Sequence, residues 1–221
     1  MDQLRNILLS IILILSCMFI YAQQDRKADR YLQGVSAQFD MNEGYLIHMD
    51  YIREDIMRET SAEGEGTIWM KGLKYKIVVD EYIVYYDGSK LFSQNRETEE
   101  VYVSTPDPGQ PGYLQAVPIK IIKSYEHDFK YRYMGNTSFM GKERVEIQLY
   151  PKDMTGPYSM LKMFINPGTL KLEGILLKHK EGIQYTMVFS DIRGNQNLED
   201  NTFIFDPVAY PNTEVIELLD Q

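Results

Sequence analysis

Tyr45-Leu46-Ile47-His48-Met49-Asp50-Tyr51-Ile52 decides the architecture. Tyr45, Ile47, Met49 and Tyr51 alternate with Leu46, His48, Asp50 and Ile52, the period of two expected of a strand whose faces meet different surroundings. Downstream, Thr67 to Met70, Leu73 to Val79, Ile83 to Tyr86, Leu91 to Gln94 and Val101 to Val103 read as further strands. Lys71-Gly72 marks a bend and Asp87-Gly88 a tight hairpin. Gly64-Glu65-Gly66 reads as the twisted start of a strand, and Met57 to Thr60 as the continuation of a ribbon. Past residue 128, Phe129, Tyr131 and Tyr133 alternate again. Arg144 to Tyr150, Leu161 to Ile165, Leu170 to Lys178 and Ile183 to Phe189 follow as strands. Phe203 and Phe205 are expected to close the sheet, and the tail from Tyr210 to pack as an edge element.

Helical spacing is confined to two places. Ala28, Tyr31, Leu32, Val35 and Phe39 recur at the period of a helix with one apolar stripe, and Ile119, Ile122 and Phe129 permit a short helix near Pro118. Ser104 to Pro118, rich in proline and glycine, is either a break between two domains or an excursion from one sheet. The second is preferred, because neither flanking half looks self-sufficient. The expected fold is mainly β, one large antiparallel sheet whose apolar face must curl, stack or be covered. Two helical segments are too few for a full layer and suit a lid on a curved sheet.

The apolar run Asn6 to Tyr21, with Arg5 before it and Ala22 after it, reads as a secretory leader. The expected organisation is a signal peptide over 1–22 and a single domain over 23–221, placed outside the cytoplasm. The only cysteine, Cys17, falls inside that leader. Leu15-Ser16-Cys17 has some likeness to a lipid-attachment site, but Ile14 and Leu15 fit its small-residue preference poorly; a retained or lipidated N-terminus is the alternative. The formal net charge of −9 disfavours nucleic acid and anionic headgroups as partners and fits a monomer.

Catalytic patterns are missing. His48, His127 and His179 have no neighbours at metal-ligand spacing, no P-loop, G-x-S-x-G or G-x-G-x-x-G motif occurs, and no cofactor is expected. Glu43, Glu54, Asp55 and Glu59 could supply a carboxylate pair for a hydrolase but read better as a solvated face. The positive feature is 17 tyrosines and 12 methionines. Methionine lines irregular apolar space, and each buried methylene of a ligand is worth about 0.8 kcal/mol. Met49, Trp69, Tyr75, Ile77, Val79, Met163, Ile165, Leu177 and Met187 are therefore candidate lining residues, each also compatible with an ordinary core.

Several of these stretches, in order, resemble the periplasmic outer-membrane lipoprotein carrier family. Tyr31-Leu32 and Val35 followed by Ala37-Gln38-Phe39 resemble its first helix. Gly64 to Lys71 resembles its glycine-led strand, and Tyr82 to Phe92 its Asp-Gly hairpin. Asn201-Thr202-Phe203-Ile204-Phe205-Asp206-Pro207 resembles its Phe-x-Phe-x-Pro ending. The resemblance implies an unclosed β-barrel, a half-barrel whose concave apolar face is covered by helices and receives acyl chains of lipoproteins. It implies Tyr31, Leu32 and Val35 in the first lid helix, Ile119 and Ile122 in the later cover, and Trp69 and Tyr75 near the cavity. It also implies an inner-membrane lipoprotein-releasing transporter and an outer-membrane acceptor as partners. One position departs: Gly72 stands where the family often has an arginine tied to lid closure, leaving Lys71 or Lys74 as substitutes or a lid closed by apolar contact alone. The alternatives are a sensor or regulatory module for envelope lipid or peptide, and a lipid-anchored acceptor; an enzyme on envelope glycan or lipid ranks third. An empty apolar cavity with no clustered carboxylates is expected of a carrier, and a tightly filled cavity would sink that reading.

Overall fold

The computed structural model describes residues 26–107 and 119–218. The expected leader, its cleavage at Ala22, Cys17 and most of the Ser104–Pro118 segment lie outside the described residues.

Helix α1 covers residues 26–36. Strands β1 (Gly44–Asp55), β2 (Thr60–Lys71), β3 (Lys74–Val79), β4 (Tyr82–Tyr86), β5 (Leu91–Asn95) and β6 (Glu100–Ser104) follow. Two short helices come next, α2 (Ile119–Lys123) and α3 (Tyr125–Asp128). The chain then returns to strand as β7 (Phe129–Phe139), β8 (Lys142–Pro151), β9 (Tyr158–Ile165), β10 (Leu172–His179) and β11 (Ile183–Arg193). A 3-10 turn (Asp200–Phe203) and β12 (Glu214–Glu217) end it.

Among the described residues, twelve strands form one sheet in the order β12-β6-β5-β4-β3-β2-β1-β11-β10-β9-β8-β7. Neighbours are antiparallel except β12, which runs parallel to β6. The two sequence halves meet where β1 pairs β11. β7 and β12 remain as edges, so the sheet is an unclosed half-barrel.

Register assigns the faces. Tyr45 opposes Met70, and Met70 opposes Tyr75. Ile47 opposes Ile68, and Ile68 opposes Ile77. On the other half, Ile147, Met163 and Ile175 stand side by side, as do Leu149, Leu161 and Leu177. These residues share the concave face, and α1 lies on it. Ala28, Leu32 and Val35 are at most 1% exposed, because the i, i+4, i+7 stripe points down onto the sheet. α2 and α3 extend the cover through Ile119 and Tyr125.

The convex face of β8–β10 carries ion pairs instead: Arg144 with Glu173, and Lys162 with Glu146. Period-two alternation thus separates an apolar inside from a polar outside.

Three expectations need correction. Ile56–Glu59 is a turn, not ribbon, so β2 begins at Thr60 and Gly64 and Gly66 fall inside it. A Cβ on Gly66 would lie 2.7 Å from Met49 Cε and 3.0 Å from Val79, and one on Gly64 would lie 2.8 Å from the Tyr51 ring. These glycines make room for large side chains across the ladder, a role invisible until the pairing is known. Phe203 and Phe205 do not close the sheet. They belong to an arm that crosses the convex side: Phe205 packs with Ile83, Tyr85, Val101, Phe92 and Tyr210 in a second cluster. The tail does act as an edge element, as β12.

The arm begins at a tight crossing. Gln196 N–H donates to Gly44 O at 3.0 Å, and a Cβ on Gly44 would overlap the backbone carbonyl of Gln196. Gly44→Ala is therefore expected to cost about 1–3 kcal/mol, since neither backbone can yield without breaking that bond. Urea unfolding would measure it, and an unchanged midpoint would contradict the crossing.

Candidate functional site

The site is the concave face beneath α1. Tyr75, Ile77, Met163, Ile165 and Leu177 belong to the core cluster there, and Tyr31, Leu32, Val35, Ile119 and Ile122 contribute to it from the cover. Met49, Val79 and Met187 share the same sheet face by register but lie beyond that cluster, toward the β1–β2 turn. Trp69 is a correction. It opposes Leu46 and Lys76, which puts it on the convex face, with the Lys76 ammonium 5.5 Å from its ring and 5.1 Å from that of Tyr85. A single step of strand parity separates it from Met70, which takes the inward position. Burial against these rings lowers the Lys76 pKa from its ordinary value.

Sequence reading missed much of the lining: Tyr45, Tyr86, Ile147, Leu149, Leu161 and Leu172 are all buried in the cluster. The alternation Val145-Ile147-Leu149 carried the signal for two of these, but parity alone does not say which face a lid covers.

The space beneath α1 is filled. Ile147, Leu149, Met163 and Ile165 are 0% exposed, so no water-sized void touches them. The empty cavity expected of a carrier is not present around these four residues. The cover would have to move before a ligand could reach them.

Polar ties hold that cover, and they lie elsewhere than anticipated. The Tyr131 hydroxyl donates to Asp29 on α1. Lys123 Nζ donates to Ser36 O at 2.6 Å, placing a cation at the C-terminal end of α1, where the helix dipole favours it. Gln38 Nε2 donates to Gly34 O at 2.9 Å and to Leu170 O at 2.6 Å, joining the helix end to the β9–β10 loop. Tyr31 stacks on Tyr133 with centroids 6.0 Å apart. The cover is thus anchored on β7, α2 and the β9–β10 loop.

Lys71 and Lys74 hold a different element. Lys71 Nζ donates to Leu198 O at 3.1 Å, and Lys74 pairs with Asp200 at 2.9 Å, so both fasten the C-terminal arm. Gly72 occupies the β2–β3 turn with φ +60, a left-handed conformation that an arginine would adopt only with strain.

The other polar candidates have structural partners. Asp55, 5% exposed, accepts from Arg58 N at 3.0 Å and holds the β1–β2 turn. His48 Nδ1 lies 3.3 Å from Thr67 Oγ1, and His179 Nδ1 accepts from Glu181 N at 3.2 Å. Among the described residues, no three His, Cys, Asp or Glu side chains are grouped to hold a metal.

Several tyrosines respond to this environment. Burial first, then the bond to Asp29, pushes the Tyr131 pKa up; burial, then Glu126, does the same for Tyr125. The bond to Asp80, then burial, raises Tyr51 to about 12. In each case the folded state favours the neutral phenol. The associated stability is therefore intact below the unfolded tyrosine value of about 10 and falls as pH rises above it toward the folded values. A spectrophotometric titration should show these phenols ionising late, with melting temperature dropping above about pH 10. Tyrosines that all titrate near their ordinary value in the folded protein would contradict the packing.

An unclosed antiparallel half-barrel with a helical cover on its apolar concave face defines a class of binding and carrier proteins. The chain belongs to the family described as outer membrane lipoprotein carrier protein LolA, whose model matches residues 60–206. That span leaves out α1 and β1. No curated protein sequence matches the chain. Among solved structures, an uncharacterized conserved protein from Thermus thermophilus is similar with a TM-score of 0.55 at 7% identity, covering 87% of this chain and 99% of that one. A LolA superfamily protein from Nitrosomonas europaea matches at TM-score 0.44 and 11% identity, covering 80% and 97%. A putative outer membrane lipoprotein-sorting protein domain from Vibrio parahaemolyticus matches at 0.45 and 10%, covering 83% and 97%. At such identities the likeness concerns fold alone.

Proposed function

We propose that this protein binds the acyl chains of lipoproteins on its concave face and carries them through the periplasm toward the outer membrane. The observation that carries this reading is a continuous apolar face from β3 to β8, covered by a helix that separate side-chain bonds tie down. Family membership supports the choice of ligand. Lifting α1 exposes Ala28, Leu32 and Val35 together with the sheet residues beneath them, at about 1.5–3 kcal/mol for each large side chain uncovered. An acyl chain of about ten methylenes regains about 8 kcal/mol on burial. A chain laid on the sheet face re-covers what the helix left and adds its own burial, so longer chains bind more tightly than short ones, with no bond made or broken. An inner-membrane releasing transporter and an outer-membrane acceptor are the partners this role requires. Each would act by stabilising the open cover.

The filled interior favours a second reading, a regulatory module that holds an apolar peptide or envelope lipid only when a partner opens it. Gentle extraction from the envelope followed by native and denaturing intact mass separates the two. A chain starting at Gln23 with an acylated peptide bound supports the carrier. A chain starting at acylated Cys17 moves the role to an anchored acceptor. A clean mature chain without acyl ligand rejects the carrier in favour of the regulator.

A further inference from the structure

β11 outruns its neighbour. Its pairing with β10 covers only Gln184–Val188, while the strand continues to Arg193 beside β1. The notch so formed holds a cleft of about 740 Å³. Its inner wall is Tyr45, Leu172, Phe189 and Ile192, all members of the cluster beneath α1 or packed against it. Its outer wall is the β7–β8 hairpin tip, where Met140 is 50% exposed and Phe139 stacks on Phe164 with centroids 3.9 Å apart. The cleft thus reaches the flank of the lid-covered cluster from the side, and the packed interior behind Leu172, 2% exposed, closes its inner end.

The rim is polar and of mixed sign. Lys142, Lys171 and Gln38 bring donors. Of the carboxylates, Glu173 is held by Arg144 and by Asn166 at 2.9 Å, and Asp191 by Arg193 at 2.5 Å. Glu43 and Asp50 remain against the two lysines, so the rim is near balance and suits a head of little net charge that carries hydrogen-bond acceptors. Gln38, bonded to Leu170 O, forms the jamb between α1 and the β9–β10 loop.

We propose that this cleft is a side portal, a first resting place and head-group site for an N-acyl or ester-linked amphiphile. The ester or amide carbonyls sit at Lys142 and Lys171, and the tail lies within the cleft along Tyr45, Leu172, Phe189 and Ile192 while α1 stays down. The proposal rests on the acyl-binding reading above and adds the place where head and tail dock before the cover lifts.

The test is to lock the cover. A Cβ on Gly34 would lie 2.8 Å from Leu170 Cβ, close enough for a disulfide after small adjustment, and neither residue lines the cleft. Gly34→Cys with Leu170→Cys, in a Cys17→Ser background, fastens α1 to the β9–β10 loop when oxidised and frees it when reduced. The probe is a fluorescent N-palmitoyl dipeptide amide, with the unacylated dipeptide as control. The portal predicts that oxidised and reduced protein bind the probe within tenfold of each other. Loss of tenfold or more on oxidation, reversed by reductant, overturns it and leaves access beneath the helix. Lys142→Glu with Lys171→Glu, two exposed positions that leave the core intact, is expected to weaken binding by roughly tenfold through lost charge-assisted bonds. Unchanged affinity overturns the head-group site even if the crosslink does not form. Absence of probe binding to the unmodified protein sinks the acyl-binding reading itself, a result distinct from either failure of the portal.

Discussion

Leu32→Ala is expected to destabilise the protein by about 2–5 kcal/mol and to loosen α1 more than the sheet. Leu32 is 1% exposed at the centre of the helix face that covers the β-sheet, and its removal leaves a hole in a cluster where Ile147, Met163 and Ile165 are sealed. A short helix gains most of its stability from tertiary packing, so the loss falls first on its own docking. Hydrogen exchange should show residues 26–36 losing protection while β8 and β9 keep theirs, with a rise in binding of an apolar dye. Leu32→Met keeps the volume and should cost under about 1.5 kcal/mol. If the two variants behave alike, or if the sheet loses protection in step with the helix, α1 is not a separable cover.

The second large effect is expected on the opposite face. Phe205→Ala should cost about 3–5 kcal/mol, because the ring packs against Tyr85, Phe92 and Tyr210 within 6.3 Å of each. One feature of the cluster reduces the loss. Gln94, 1% exposed beneath it, has an Nε2 with no hydrogen-bond partner. Water admitted by the truncation would satisfy that amide and return about 1–3 kcal/mol, so the net change should fall at the low end. Limited proteolysis should then cut within the arm, near residues 206–212, before the sheet. Retention of a protected arm would show that β12 pairing and the Lys71 and Lys74 contacts hold it without the aromatic cluster.

The sequence was legible wherever one residue's pattern sufficed. Alternation at Tyr45–Tyr51 and at Val145–Leu149 announces strands, because a strand between apolar and polar surroundings must alternate. Ala28, Leu32 and Val35 announce the helix and its buried face for the same reason at a different period. The β4–β5 hairpin at Asp87-Gly88 and the edge position of the tail also follow from local chemistry. What failed were statements about partners across the sheet. Trp69 and Met70 are adjacent and both large; only the pairing of β2 with β1 and β3 sends Met70 inward and Trp69 out. Phe203-x-Phe205 has strand parity, yet Phe203 ends a 3-10 turn and Phe205 packs on the convex face against β4, β5 and β6. Lys71 and Lys74, the latch positions the resemblance implies, hold the C-terminal arm, whereas Tyr131, Lys123 and Gln38 hold the helix.

By itself, then, the sequence determined the composition of the layers: a β-rich chain, one apolar face, and too few helices to cover more than a strip of it. Hydrophobic period is a local property, and burial enforces it residue by residue. The tertiary structure alone decided which apolar residues meet, that the covered interior is filled, that the cover is tied to β7 and the β9–β10 loop, and that β11 outruns β10 to leave a cleft. These depend on register and on contacts between residues far apart in the chain, such as Asp29 with Tyr131 and Gln38 with Leu170. Such contacts are set by the register and curvature of the whole sheet, which no window of sequence contains.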